Sequence, residues 1–319
     1  MRTGPSSGGP RLAAVMAAYN RRELTLACLR SLRAQQVPSV ALDVFVLDDA
    51  SSDGTSEAIA EQFPEVTVLH GDGQLYYSGG MRRAFAAAIA GDYDYYLWMN
   101  DDTVLDDRGL ATLIDTAGQL RERGDEAVIV AGSTRHPDTG ELTYGGLVHP
   151  HRWRPLRSEL VEPGDAPRPC DTMNGNATLV SRTVVRRIGN IDPAFVQQMG
   201  DFDYGLRARA AGCSVWVAPG TVGTCASNPL RRTDERPLGE ELRQLWSLKE
   251  LKPGPWAVYS RRWAGKLWPM YWLSPYVRGG IRLVLQRIPL ARVRAGPFGS
   301  ARPRTTPPMP PRPFGSGRA

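Results

Sequence analysis

The chain has 319 residues, of which 42% are hydrophobic and 23% are charged, a composition that excludes a low-complexity or fibrous protein. The net charge of +6 is unevenly divided, because thirteen Lys and Arg residues but no acidic residue follow Glu250. Residues 1–250 carry 26 basic and 33 acidic side chains, so an acidic body precedes a basic C-terminal segment.

The cysteines and the N-terminal residues indicate the cellular compartment. The four cysteines form no Cys-x-x-Cys pair and indicate neither a disulfide framework nor a zinc site, so a reducing cytoplasm is expected. Residues 1–10 are rich in Gly, Pro and Ser without an apolar run, which predicts a disordered segment and neither a secretory signal nor an anchor. No run approaches the ~20 apolar residues of a membrane span.

Apolar runs alternate with helical patterns over the first hundred residues. Strands are predicted at residues 12–18, 42–47, 66–69 and 95–99. The helix before the last of these strands is predicted at 81–90, after a glycine-rich loop. This alternation predicts an α/β protein with a largely parallel sheet and helices on both faces. The absence of Gly-x-Gly-x-x-Gly after the first strand and of a P-loop argues against a dinucleotide enzyme or an ATPase of that class.

Acidic clusters follow three of the apolar runs. They are Asp48-Asp49, Asn100-Asp101-Asp102 and Asp201-Phe202-Asp203. Because ligands in open α/β sheets bind at the carboxyl ends of the strands, we expect the three clusters to form one site. Turn-forming and helix-capping aspartates are the structural alternative.

The second half of the body has weaker patterns. Residues 135–170 are rich in Pro and Gly and predict loops with a hairpin. A strand at 177–180, a helix opened by Asp201 and stopped by Gly212, and a strand at 215–217 follow.

At this point the residues resemble the family 2 glycosyltransferases, enzymes with a GT-A fold. The resemblance spans residues 11–227 and rests on four motifs, AAYNR at 17–21, DDASSDGT at 48–55, WMNDDT at 98–103 and GDFD at 200–203. It implies a GT-A-type, mostly parallel sheet with flanking helices. The implied organisation is a disordered segment at 1–10, the catalytic domain at 11–227, a helical basic and aromatic region at 228–295, and a disordered Pro/Arg-rich tail at 296–319.

The resemblance implies an inverting enzyme that takes a sugar from a nucleoside diphosphate donor. Candidate donor-binding residues are Tyr19, Asn20, Asp48, Asp49, Gly80, Arg82, Asn100 and Asn174. Gly80 and Arg82 are included because glycines and arginines ahead of a helix N-terminus suit a pyrophosphate. For Asn174 a plain turn is the alternative.

The resemblance also implies a divalent metal, Mg²⁺ or Mn²⁺, held by Asp102 and secondarily by Asp101. Two features depart from the family pattern. Asn100 stands where a carboxylate is usual, and no histidine follows the last strand, where many relatives carry a ligand. Either fewer protein ligands hold the metal, or the enzyme depends on it less.

An inverting transfer needs a general base for the acceptor hydroxyl. Asp201 matches the family's base position, and Asp203 is a competitor because Gly200 replaces the glutamate that often precedes the base. A helix N-cap is the structural alternative for both.

The C-terminal segment interleaves Trp and Tyr with Arg and Lys. This pattern suits a peripheral contact at the inner face of a membrane and a polyprenyl-linked acceptor in cell-envelope synthesis. A helical cap packed on the catalytic domain is equally compatible with this pattern, and no motif favours nucleic-acid binding.

Two alternative functions stay open, a sugar-phosphate nucleotidyltransferase and an inactive carbohydrate-binding subunit. By analogy with the family, the motifs suggest transfer of rhamnose or galactofuranose.

Overall fold

The computed structural model describes residues 9–37, 40–151, 153–226 and 252–285. The predictions for the N-terminus before residue 9 and for the tail at 296–319 lie outside the described residues. The predicted domain boundaries are not tested by the structure and stay predictions.

An eight-stranded sheet forms the centre of the molecule. In spatial order its strands are β11 (Arg168–Pro169), β14 (Ser214–Val217), β6 (Val128–Ala131), β13 (Ala177–Ser181), β4 (Tyr95–Met99), β1 (Arg11–Ala18), β2 (Ala41–Asp48) and β3 (Thr67–His70). β13 runs antiparallel to both neighbours and β11 antiparallel to β14, whereas the other pairs are parallel. The expectation of a largely parallel sheet is confirmed.

Helices cover both faces of this sheet. They are α1 (Arg22–Arg33), α2 (Thr55–Gln62), α3 (Tyr76–Ile89), α4 (Gly109–Glu122), α5 (Arg182–Ile188) and α6 (Gly200–Ala210). One face packs on Leu26, Ile59 and Leu113 of α1, α2 and α4. The other packs on Phe85 and Tyr204 of α3 and α6. Three layers result, because β4 and its neighbours are apolar on both faces.

The start of α3 differs from the prediction. The helix begins at Tyr76 and not at residue 81, because the Asp49 carboxylate accepts hydrogen bonds from the backbone N–H groups of Leu75 and Tyr76. The glycines at 79 and 80, which suggested a loop, lie within the helix. The sequence also indicated no element between residues 104 and 133, where β5 (Val104–Leu105), α4 and β6 lie.

Two small sheets flank the carboxyl edge of the main sheet. One has the order β5, β15 (Gly223–Thr224), β7 (Thr134–Arg135) and β8 (Leu142–Tyr144), and the other has the order β10 (Glu159–Leu160), β9 (Gly146–Val148) and β12 (Thr172–Met173). β7 and β8 are antiparallel and connected directly, which confirms a hairpin in this region.

The C-terminal region is helical where it is described. α7 (Pro253–Trp263), a short 3-10 helix (Gly265–Leu267) and α8 (Trp268–Leu285) follow one another. Trp256 and Tyr259 of α7 pack against Phe195 of the catalytic body. Among the helices in the described ranges, none has the length and apolar character needed to cross a bilayer.

Candidate active site

Asn20 ties together the loops that follow β1 and β2. Its backbone N–H donates to Ser51 Oγ at 2.9 Å, and its Oδ1 accepts from the backbone N–H of Ser52 at 2.7 Å. The φ of 50° at Asn20 lies in the left-handed region, which Asn tolerates better than most residues. Tyr19 is 55% exposed beside this junction. Both predicted donor-binding residues therefore lie at the carboxyl edge of the sheet.

Asp48 and Asp49 organise the loops around the end of β2. Asp48 accepts from the backbone N–H of Ser51 at 2.9 Å. Asp49 accepts from the backbone N–H groups of Gly73 and Leu75, both at 2.9 Å, directly before α3. These are contacts of turn-forming and helix-capping carboxylates. Donor binding by either residue stays a prediction.

The loop after β4 presents Asp101 and Asp102 to the guanidinium of Arg21. Arg21 Nη1 lies 2.8 Å from Asp102 Oδ2 and 3.3 Å from Asp101 Oδ1. The aspartate side chains are only 9% and 11% exposed. Burial raises the pKa of Asp101 to about 7, because lost hydration outweighs the favourable charge of Arg21. Two mostly buried carboxylates therefore share one cationic side chain.

Asn100 precedes this pair and leaves one oxygen free. Its backbone N–H donates to the carbonyl of Asn176 at 3.1 Å. Its Oδ1 is buried and has no hydrogen-bond partner in the part of the chain that the structure describes. Because buried oxygens are normally satisfied, this one is available to a ligand beside Asp101 and Asp102.

Asp201 lies in the first turn of α6 and faces the loop at 174–176. Its Oδ2 accepts from the backbone N–H of Gly175 at 3.0 Å, and its Oδ1 accepts from the backbone N–H of Phe202 at 2.9 Å. The side chain is half-buried, and this burial raises the pKa of Asp201 above its ordinary value. A carboxylate with a raised pKa is a stronger proton acceptor than an exposed one.

Tyr77, which sequence analysis did not identify, lies beside Gly175 in the loop that contacts Asp201. Burial raises the pKa of its hydroxyl well above the ordinary value, and the charges of Asp201, Asp102 and Asp101 raise it further. A Cβ on Gly175 would lie 2.5 Å from Tyr77 Oη, so the glycine makes room for this hydroxyl. Tyr77 therefore lies against the loop whose Gly175 donates to Asp201, a placement that nothing in the local sequence around Tyr77 indicates.

Asp203 belongs to a different set of contacts. It is fully buried, and its Oδ2 accepts from Arg207 Nε at 2.9 Å. Its Oδ1 accepts from Arg262 Nη1 at 2.7 Å and from Trp263 Nε1 at 2.9 Å. Three donors from α6 and α7 occupy this carboxylate, so it fastens the C-terminal helices to the body. Of the two predicted bases, Asp201 is the one that faces the site.

Gly80 and Arg82 lie inside α3 and not ahead of its N-terminus, which corrects the prediction that they flank a pyrophosphate there. A Cβ on Gly80 would lie 2.8 Å from Ala17 Cβ and 2.9 Å from Leu47 Cδ2. This glycine therefore allows α3 to pack closely on β1 and β2. Arg82 has a buried Nη1 without a partner among the described residues.

Asn174 holds a turn next to Asp201. Its Oδ1 accepts from the backbone N–H of Gly145 at 3.3 Å, and its carbonyl accepts from Thr178 Oγ1 at 2.8 Å. These contacts fit the turn that was considered as the alternative, and donor binding by Asn174 stays a prediction.

The sequence pattern described as Glycosyl transferase family 2 matches residues 13–187, which is more than half of the chain. The protein belongs to glycosyl transferase family 2. The matched range runs from β1 into α5 and includes Arg21, Asp101 and Asp102, whereas Asp201 lies beyond it. The glycosyltransferase assignment made from the motifs is confirmed.

Two strains of Mycobacterium tuberculosis, CDC 1551 / Oshkosh and H37Rv, contain a similar protein. The chain is 27% identical over 202 residues to their N-acetylglucosaminyl-diphospho-decaprenol L-rhamnosyltransferase. The alignment covers 55% of this chain and 64% of the relative, so the chain spans less than two thirds of the relative's length.

Solved glycosyltransferases share the fold. The mannosyltransferase PcManGT from Pyrobaculum calidifontis, solved with GDP-Man and Mn²⁺, aligns with a TM-score of 0.51 and 18% identity over 80% of this chain and 65% of its own. GalNAc-T7, solved with UDP, GalNAc and Mn²⁺, aligns with a TM-score of 0.55 and 11% identity over 80% of this chain and 51% of its own. At these identities the likeness shows the GT-A-like fold alone.

The residues after β4 in this family 2 glycosyltransferase fit a divalent cation. Two mostly buried carboxylates already share the guanidinium of Arg21, and the Asn100 oxygen beside them lacks a donor. Oxygen ligands of this kind suit Mg²⁺ and Mn²⁺. Within the described residues, no group of three or more His, Cys, Asp and Glu is arranged to hold a metal. Metal binding by Asp102 and Asp101 therefore stays a prediction.

Cys225 follows β15, where the resemblance leads one to expect a histidine. Its Sγ donates to Asp102 Oδ1 at 3.2 Å and accepts from Asn176 Nδ2 at 3.4 Å. Burial, followed by the charge of Asp102, raises the pKa of this thiol to about 12. Sequence analysis noted the missing histidine but not the thiol that contacts Asp102.

Proposed function

We propose that this family 2 enzyme is an inverting glycosyltransferase that moves a sugar from a nucleoside diphosphate donor to a hydroxyl of a glycan or lipid-linked acceptor in cell-envelope polysaccharide synthesis. The observation that supports the proposal is that the loop at 174–176 links the two acidic clusters. Gly175 N–H donates to Asp201, and Asn176 Nδ2 donates to Cys225 Sγ, which in turn contacts Asp102. The two clusters provide carboxylates for two tasks, one beside the departing phosphate and one as a base for the incoming hydroxyl.

The diphosphate end of the donor is assigned to the Asp101 and Asp102 side of the site. Asp102, with Asp101, would hold a Mg²⁺ or Mn²⁺ ion, which neutralises charge on the departing diphosphate when bound. Arg21 lies in contact with both carboxylates and supplies a second cation next to the same phosphates.

Asp201 is proposed as the general base. It accepts the proton of the acceptor hydroxyl while that oxygen forms a bond to the anomeric carbon and the bond from this carbon to the phosphate oxygen breaks. Attack from the face opposite the phosphate inverts the anomeric configuration. The raised pKa of Asp201 strengthens it as a base but requires a pH above that pKa, so the transfer rate falls as the pH is lowered through it.

The acceptor and the sugar are the finer part of the proposal. The mycobacterial relative carries the name of a rhamnosyltransferase that acts on a diphospho-decaprenol compound, and 27% identity supports the same general class here. We assign a polyprenyl diphosphate-linked sugar as acceptor and a deoxyhexose such as rhamnose as the transferred unit.

Calorimetric titration with UDP, dTDP and GDP, with and without Mn²⁺, tests the donor assignment. We expect one nucleotide to bind the wild type, and binding to weaken sharply when Mn²⁺ is omitted or Asp102 is replaced in Asp102→Ala. Asp201→Asn should bind the same nucleotide normally but lose transfer about 10²–10⁴-fold, the usual contribution of a general base.

Two results would contradict the proposal. If none of the nucleotides binds under any condition, the protein is not a donor-dependent transferase, and the inactive carbohydrate-binding alternative takes its place. If Asp201→Asn transfers sugar at the wild-type rate, the base lies elsewhere.

A further inference from the structure

The helix α8 carries a row of solvent-exposed apolar side chains. Met270, Leu273, Val277 and Ile281 are 67%, 49%, 46% and 54% exposed. Their spacing of three, four and four residues places them on one face of the helix. Leu267, just before α8, is 53% exposed as well. We call Met270, Leu273, Val277 and Ile281 the α8 stripe.

The large aromatic side chains of this region do not belong to the stripe. Trp256 and Tyr259 of α7 are buried against Phe195, and Trp272 of α8 packs against the same cluster. Trp272 Nε1 donates to the carbonyl of Pro253 at 3.0 Å, which holds α8 against α7. The aromatic face of α8 is therefore packed within the molecule, whereas its aliphatic face is exposed to solvent.

The surroundings of the α8 stripe are positive. Arg261 of α7, Lys266 of the short 3-10 helix and Arg278 of α8 are exposed, and residues 251–319 contain no acidic side chain. Exposed aliphatic residues among cations form a surface that suits the boundary between anionic headgroups and acyl chains. A second copy of the chain would bring the same positive charges to the contact, which opposes self-association.

We propose that α8 docks the protein on an anionic phospholipid bilayer, with the α8 stripe inserted below the headgroups and the neighbouring basic side chains on the phosphates. The proposal rests on the surface of α8 and is independent of the chemistry assigned to Asp101, Asp102 and Asp201. The sequence predicted a membrane contact through Trp and Tyr, whereas the proposed contact is made by the aliphatic residues of the α8 stripe.

Flotation of the full-length protein with vesicles tests this docking. The vesicles contain phosphatidylglycerol and phosphatidylcholine in equal amounts, and pure phosphatidylcholine vesicles serve as the neutral comparison. Leu273→Glu places a charge in the middle of the stripe, and we expect it to weaken binding to the anionic vesicles about tenfold or more. Wild type should bind neutral vesicles less tightly than anionic ones.

Leu24→Glu is the matched control, because Leu24 is a helical leucine with the same 49% exposure on α1. It should bind vesicles as wild type does, and thermal unfolding should show both variants folded.

The docking proposal is overturned if wild type binds neither kind of vesicle, or if Leu273→Glu and Leu24→Glu bind the vesicles equally well. It is also overturned if sedimentation shows a wild-type dimer that Leu273→Glu dissociates while vesicles capture nothing. Nucleotide binding by wild type is measured separately, so failure of docking leaves the proposed transfer unaffected.

Discussion

Arg21 brings a guanidinium to the place that a divalent cation would share with Asp101 and Asp102. The contacts at 2.8 and 3.3 Å join residues that are 81 and 80 positions apart. In the absence of metal this arginine balances two carboxylates that are almost out of contact with water. A metal that binds there must displace or share this ion pair.

Arg21→Gln should therefore raise the affinity of the nucleotide-free protein for Mn²⁺ by about two- to fivefold, the value of one ion pair worth about 0.5–1 kcal/mol. Free Mn²⁺ can be measured by electron paramagnetic resonance at a pH well above the pKa of Asp101, so that protons do not compete. Arg22→Gln is the control, because the Arg22 side chain is 46% exposed and lies 3.7 Å from Glu23. An unchanged or lower affinity in Arg21→Gln would show that Arg21 does not compete with the metal.

The acidic residues of the site could be predicted from the sequence because each follows a strongly apolar strand or matches a motif. The residues that contact these carboxylates could not be predicted. Arg21 and Cys225 contact Asp102 across 81 and 123 positions of the chain. No local pattern records such a contact, and Tyr77 lies in a stretch whose glycines suggested a loop.

At the scale of elements, α3 shows how one glycine sets a packing distance. Gly80 lets the helix approach β1 and β2, where a methyl group would meet Ala17 Cβ at 2.8 Å and Leu47 Cδ2 at 2.9 Å. The same approach brings Tyr77, near the start of the helix, toward the site. The packing of α3 and the position of Tyr77 are therefore linked.

Gly80→Ala should lower the free energy of unfolding by about 1–3 kcal/mol, because the added methyl group overfills a rigid contact. Gly118→Ala in α4 is the matched control, since no atom lies within 4 Å of a Cβ built there. It should raise the free energy of unfolding by about 0.5–1 kcal/mol through helix propensity. Urea unfolding followed by circular dichroism measures both, and an equal effect at the two sites would contradict the packing argument.

The elements that were predicted well are those with a decisive local pattern. β4 is buried at all five positions and is recognisable as a continuous apolar run. The start of α3 was not recognisable, because its cap is the carboxylate of Asp49, which precedes Tyr76 by 27 residues. Local propensity favoured a loop at Gly79 and Gly80, and the contact with the sheet overrode it.

At the scale of the whole molecule, one buried carboxylate joins the catalytic body to the C-terminal helices. Asp203 is 0% exposed and is contacted by Arg262 and Trp263 of α7. Arg262 also contacts Asp192 at 2.9 Å. The charge asymmetry of the sequence separated the two parts but gave no indication of this contact, since it links residues that are 59 positions apart.

Arg262→Ala should lower the free energy of unfolding by about 1–3 kcal/mol, because it removes a charged donor from a buried carboxylate that keeps Arg207 and Trp263. Arg261→Ala is the neighbouring control, and as an exposed position it should change stability by less than about 0.5 kcal/mol. Unfolding in guanidinium chloride measures the free energy of unfolding of both variants. Equal stability of the two variants would show that the body and the C-terminal helices are not coupled through this contact.

The contact at Asp203 also constrains how such a protein can diversify. If the C-terminal helices were exchanged for those of another family member, the new segment would have to supply a cation and an N–H donor at the positions of Arg262 and Trp263. An exchange without them would leave Asp203 buried and short of donors, two residues from Asp201. Positions 203, 262 and 263 are therefore expected to be inherited as a set, and hybrids that divide the set are expected to fold poorly even when each half comes from an active enzyme.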